Sequence, residues 1–207
     1  MAKEAGFDFH RGVMAYADRP ENQIFEPCAD GPERLVVPAT LADPGNLGTI
    51  IRTAAAFGAD GVLLESGKGA DVYSRKSIRA SATAVFRLPV FEVPDLGSAL
   101  ARFREEGGVV LGTSLGEGAT PLPQVKVGKK TVILLGAEKD GLTSELEAAC
   151  DELIYLPIKS GMDSLNVTAT ASIVLYELFG RCENSTPRPS TRRRKLPWKR
   201  SAMSWSE

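Results

Sequence analysis

"SGMDSLNVTATASIVLYELFG", residues 160–180, opens on small and polar residues and turns apolar within a few positions. Helical spacing puts Leu165, Ala169, Ile173 and Tyr176 on one face, with Val167, Val174 and Leu178 nearly opposite. A helix apolar all round is buried on both sides, either inside a large core or between a sheet and a second subunit. A 207-residue chain with one modest sheet favours the second arrangement. Ser164 and Asn166 stand at the mouth of this helix. N-capping accounts for one of them and less well for both.

Upstream, short apolar runs alternate with helical patterns. LVVPA (35–39) is followed by a helix from about Asn46, then by GVLLE (61–65) and a helical stretch around YSRKSIRASATAVF. LPVFEV (88–93), the helix DLGSALARFREE, GVVLGTS (108–114), TVILLG (131–136) and ELIYLP (152–157) continue the series. Such alternation predicts an α/β domain over 33–180, with a mainly parallel, Rossmann-like sheet covered by helices on both faces. Residues 1–32 are too short to enclose a core and read as the remnant of an N-terminal domain with its linker. Residues 181–207 hold Arg181, Arg188, Arg192, Arg193, Arg194, Lys195, Lys199 and Arg200 against Glu183 and Glu207, and read as a basic, disordered tail.

Composition narrows the function classes. A hydrophobic content of 43%, a charged content of 25% and a net charge of -1 are globular values that give no global reason to expect a polyanionic partner. Cys28, Cys150 and Cys182 are far apart and lack metal-ligand spacing, so neither a disulfide framework nor a metal site is expected, and a reducing cytoplasm is the simpler setting. No apolar run approaches the ~18 residues of a membrane span, and the N-terminus lacks the apolar core of a secretory signal. His10 is the single histidine and lies outside the candidate segments, which nearly excludes histidine-based catalysis.

Three segments could carry chemistry. In DPGNLGTIIRTAAAFGADGVLL (43–64), Leu47, Ile50, Ile51 and Ala54 form a buried stripe, and Arg52 points away from it. The plain reading makes Asp43 or Asn46 a cap and Arg52 a solvated arginine. The functional one places an arginine beside backbone N–H groups that suit a phosphate. DPGNLG is neither GxGxxG nor a Walker loop, which counts against a Rossmann-type nucleotide enzyme. In LLGAEKDGLTSEL (134–146), a buried strand runs into Gly136, Glu138 and Gly141, where ligands bind in open α/β sheets. An ordinary connection capped by Thr143 and Ser144 reads equally well. The third segment is 160–180 itself.

In this order, N-x-G-x-I-x-R-T-A from Asn46 to Ala54, L-G-A-E-x-x-G from Leu135 to Gly141, L-P-I at Leu156 to Ile158 and S-L-N-V at Ser164 to Val167 resemble the SpoU (TrmH-like) family of SPOUT methyltransferases. The likeness covers about 33–180 and continues through SIRASATAVFRLPV, departing at Thr83, where the family commonly has glycine. GFDFHRGVMA resembles the close of the small RNA-binding domain found upstream in many relatives. The rest of that domain is missing, so the chain is either a truncated form or holds RNA in another way.

The resemblance implies a C-terminal trefoil knot, a homodimer, S-adenosylmethionine as cofactor and methyl transfer to a ribose 2′-hydroxyl of structured RNA. Ribosomal RNA is the favoured target class and transfer RNA the next. It implies a cofactor site around Thr113, Leu135, Gly136, Leu156, Ile158 and Leu165, whose apolar walls and backbone groups suit a nucleoside. Arg52 would be catalytic, with Asn46, Glu138, Ser164 and Asn166 shaping the site. A guanidinium is a poor general base, so fixing the target phosphate and stabilising the developing alkoxide suits Arg52 better. The alternative is a non-catalytic RNA-binding or assembly protein of the same fold.

Overall fold

The computed structural model describes residues 18–21, 23–27, 31–116, 118–137, 141–159 and 164–181. Eight strands form one sheet in the order β1-β4-β3-β2-β7-β5-β8-β6. They are β1 (Gln23–Ile24), β2 (Arg34–Pro38), β3 (Gly61–Glu65), β4 (Val90–Val93), β5 (Val109–Thr113), β6 (Thr120–Pro121), β7 (Thr131–Leu135) and β8 (Glu152–Tyr155). Every neighbouring pair is parallel, as strands joined through helices require. The sheet begins earlier than the expected boundary at 33. β1 pairs with β4, and Phe25 is buried edge-on against Phe91.

Strand alternation divides the core. Val36, Val62, Ile133 and Leu135 face one layer, whereas Leu35, Val37, Leu63, Val132 and Leu134 face the other. The first layer contains α1 (Pro44–Ala56), α2 (Arg75–Ala80) and α5 (Val167–Leu175); the second contains α3 (Leu96–Glu105) and α4 (Ser144–Ala148). Helices therefore cover both faces. The central strands are the most apolar because neither face meets water: all five residues of β7 are buried. Each such aliphatic side chain contributes ~1.5–3 kcal/mol on burial.

α1 begins at Pro44, with its fixed φ, after Asp43, whose side chain accepts from Asn46 N–H at 2.9 Å. Leu47, Ile50, Ile51 and Ala54 are its buried stripe. Gly48 lets α2 approach: a Cβ there would stand 2.9 Å from the Ala80 Cβ. The stretch expected to be helical from Tyr73 to Phe86 is interrupted after α2. Ala82 and Thr83 take φ of 47° and 67°, and a short 3-10 turn follows at Ala84–Phe86. Thr83 thus occupies the left-handed conformation that glycine adopts without cost.

The two edges of the strands are built differently. At the amino ends, Asp60 Oδ2 accepts from Glu33 and Arg34 N–H at 3.0 and 3.1 Å, and Asp151 Oδ2 accepts from Val110 N–H at 2.8 Å. Arg104 Nε meets Asp151 Oδ1 at 2.7 Å. The carboxyl ends carry the loops that form the site.

Candidate functional site

A cavity of about 450 Å³ opens at the carboxyl ends of the neighbouring strands β7, β5 and β8. Thr113 ends β5; its Oγ1 donates to Leu134 O at 3.2 Å and accepts from Gly136 N–H at 3.3 Å. That exchange ties the exits of β5 and β7. Gly136 has no room for a side chain, since a Cβ would lie 2.6 Å from the Gly141 carbonyl carbon. Ala137 and Gly141 are then closed onto each other, N–H to O, at 2.9 and 3.0 Å. Leu142, Ile154, Leu156 and Ile158 supply apolar wall, and Val167, Thr170 and Val174 of α5 complete it.

Beside it lies a polar hollow lined by Asp43, Asn46, Ser164, Leu165, Asn166 and Val167. Here the starts of α1 and α5 meet. Asn166 is the cap of α5, its Oδ1 accepting from Thr168 N–H at 2.8 Å and Thr168 Oγ1 at 2.7 Å. Asp43 caps α1 and receives Lys76 Nζ at 2.5 Å. The hydrogen bond from Lys76, followed by that from Asn46 N–H, holds the Asp43 carboxyl below the usual carboxylate range. Ser164, Leu165 and Val167 line both spaces and are the join between them.

Most of the residues expected from the sequence come together. Thr113, Gly136, Leu156, Ile158 and Leu165 line the cavity, and Asn46, Ser164 and Asn166 line the hollow. Leu135 does not: its side chain is fully buried and its carbonyl accepts from Ala39 N–H at 2.9 Å. Arg52 is exposed on α1, as its spacing predicts, and lines neither space in the single chain. Glu138 lies outside the described residues, as do His10, Cys28, Cys182, the GFDFHRGVMA stretch and the tail beyond Arg181.

Ser114 and Glu147 were not expected in the wall. Ser114 Oγ donates to Glu147 Oε1 at 2.7 Å. In sequence, Glu147 looks like one of the acidic residues that suit the first turn of a helix capped by Thr143, which is also where it stands. Nothing in spacing separates the two roles. Cys150 is free and half-buried, and burial, then the carboxylates of Asp151 and Glu147, push its thiol up to about 12.

A parallel sheet with helices on both faces and a ligand-sized cavity beyond the carboxyl ends of its strands defines an α/β ligand-binding domain. The model of the SpoU rRNA Methylase family matches residues 33–176, and the chain belongs to that family. It is 32% identical over 184 residues to the 23S rRNA (guanosine-2′-O-)-methyltransferase RlmB of Acinetobacter baylyi, covering 86% of this chain and 73% of that protein. It is 33% identical over 178 residues to an uncharacterized tRNA/rRNA methyltransferase of Mycobacterium tuberculosis, covering 86% and 55%. Among solved structures, the SpoU methyltransferase AviRb from Streptomyces viridochromogenes in complex with AdoMet superposes with a TM-score of 0.66 at 32% identity, covering 73% and 59%. The chain spans about half the length of several curated relatives that it matches, from 37% to 57%.

Proposed function

We propose that this protein transfers a methyl group from S-adenosylmethionine to a ribose 2′-hydroxyl of structured RNA. Ribosomal RNA is the favoured substrate and transfer RNA the next. The observation that carries the reading is the adjacency of the two spaces: an apolar cavity and a polar hollow share Ser164, Leu165 and Val167. A nucleoside on one side of that wall and a ribose on the other would meet across it. The relatives named for rRNA methylation support the class of substrate.

The cavity fits the cofactor. Its volume lies within the ~300–1,000 Å³ usual for small ligands, and its wall combines aliphatic side chains with backbone groups at strand ends. Thr113, Gly136, Leu156, Ile158 and Leu165 would hold the nucleoside. When bound, S-adenosylmethionine supplies an electrophilic methyl whose bonding pair stays on sulfur. The chain's own task is positioning, because the receiving oxygen needs an aligned approach and a route to solvent for its proton. Asn46, Ser164 and Asn166 would orient the ribose in the hollow, with Glu138 assisting. Arg52 would grip the target phosphate and stabilise the developing alkoxide.

The proposal includes the trefoil knot and the homodimer that the family likeness implies. Supporting the dimer, Ile173 on the last helix and Tyr176 directly after it are 41% and 49% exposed, and Leu165, just before the helix cap, is 37% exposed. Among the described residues no helix is long and apolar enough to cross a membrane. RNA substrates would place the activity in the cytoplasm.

Incubating the protein with isotopically labelled S-adenosylmethionine and separate ribosomal and transfer RNA pools tests the reading. Label is expected at a 2′-oxygen, recognised by an alkali-resistant linkage. Label on a base, or no measurable cofactor affinity by calorimetry, would overturn it.

A further inference from the structure

The cavity wall carries a charge that the proposed transfer does not use. Glu147 is the one acidic or basic side chain, Asp, Glu, Lys or Arg, among the described residues lining the cavity. It is half-buried at its place in the wall. Ser114 fixes it: the hydroxyl donates to Oε1 at 2.7 Å and itself accepts from Gly116 N–H at 3.1 Å. The same wall holds buried aliphatic side chains, Leu142 and Ile154 among them. A carboxylate partly withdrawn from water in a cavity wall attracts a cation more strongly than one on an open surface.

Resting on the proposed cofactor, the discrimination turns on one charge. S-adenosylmethionine and its demethylated product, S-adenosylhomocysteine, share the adenosine, the ammonium and the carboxylate. They differ by a methyl group and by the positive charge on sulfur. We propose that the Ser114–Glu147 pair distinguishes the sulfonium form of the cofactor from the neutral thioether product by that charge. The pair favours loading before transfer and lets the product go once the charge is lost. Glu147 is then a specificity residue for the cofactor, held in position by Ser114.

Calorimetric titration of wild type and Glu147→Gln with each ligand, without RNA, tests this. Removing one partly screened ion pair is worth ~1 kcal/mol, so S-adenosylmethionine should bind the variant about fivefold more weakly. S-adenosylhomocysteine should change by less than about twofold, as expected of a ligand lacking the charge. Equal weakening of both would mean that the carboxylate touches a part common to the two, and would overturn the proposal, as would no change in either. Melting of the unliganded proteins checks that the variant folds. Should Glu147→Gln fail to fold, Ser114→Ala carries the test: its preference for the sulfonium ligand should fall about twofold, and an unchanged preference overturns the idea. Wild type that binds neither ligand would sink the cofactor reading together with this one, whereas binding of both with an unaltered preference in the variant sinks this one alone.

Discussion

Asn166 combines two roles. Its Oδ1 accepts from the Thr168 N–H in the first turn of α5, and from the Thr168 hydroxyl, while the residue also lines the polar hollow. Ser164, two positions earlier, lines both spaces, and its hydroxyl has no part in the cap of α5. The two substitutions should therefore separate. Asn166→Ala is expected to lose about 1 kcal/mol of stability along with turnover. Ser164→Ala should leave the unfolding midpoint in denaturant unchanged and reduce turnover alone; matching losses of stability in both would return Ser164 to a structural role. Arg52 supplies a sharper case, because it is exposed and off the buried stripe of α1. Arg52→Ala should lower single-turnover transfer by about 10²- to 10³-fold with cofactor affinity intact; retained turnover would remove it from the mechanism. How far such residues were legible depended on what surrounds them. Asn46, Ser164 and Asn166 stand in short ordered motifs, which is why likeness singles them out, and all three line the polar hollow. Leu135 stands in one too, yet the strand period turns it into the core. Ser114 and Glu147 meet from positions 33 residues apart and carry no local pattern.

α1 and α2 show how an element boundary is set by chemistry that spacing hides. The strands and the stripe of α1 follow apolar periods and fall within a few residues of expectation, because burial on one or both faces dictates them. The break after α2 does not, since ASATAV has ordinary helix-compatible residues and is bent by the need to bring Ala84 and Val85 into the core. Ala82 at φ 47° and Thr83 at φ 67° share the cost. Thr83→Gly should raise stability by about 1 kcal/mol, the strain relieved minus the entropy glycine adds to the unfolded chain, and a lower melting temperature would show that the threonine side chain contributes more than its backbone costs. The cap of α1 yields a pH prediction. Asp43 has its folded pKa lowered chiefly by Lys76, so the cap contributes stability above the unfolded value near 3.8 and loses it as pH falls through the lower folded value. A carbon-detected NMR titration should place Asp43 below 3.8, and Lys76→Ala should move it back upward.

At the scale of the whole molecule the open question is the outer side of α5. Its inner side is settled by Val167, Ala171, Val174 and Leu175, all buried against α1 and the sheet. On the outer side Ile173 is 41% and Tyr176 49% exposed, Tyr176 resting edge-on against Phe57 with ring centres 5.7 Å apart. Exposed apolar side chains gathered on one surface mark interaction sites, and Leu165, just before the cap of α5, adds a third exposed apolar residue that both spaces share. A second copy meeting this surface about a two-fold axis would bury it against itself. Ile173→Asp tests the arrangement cleanly, because Ile173 stands outside the buried core, whereas the Tyr176 ring also packs against Phe57. An aspartate placed in an apolar contact without a partner costs several kcal/mol, enough to shift a micromolar dimer to monomer. Sedimentation should give twice the chain mass for the wild type and the chain mass for the variant, with the same helical circular dichroism. A wild type that sediments as a monomer would remove the second copy, and would leave the outer face of α5 to the RNA.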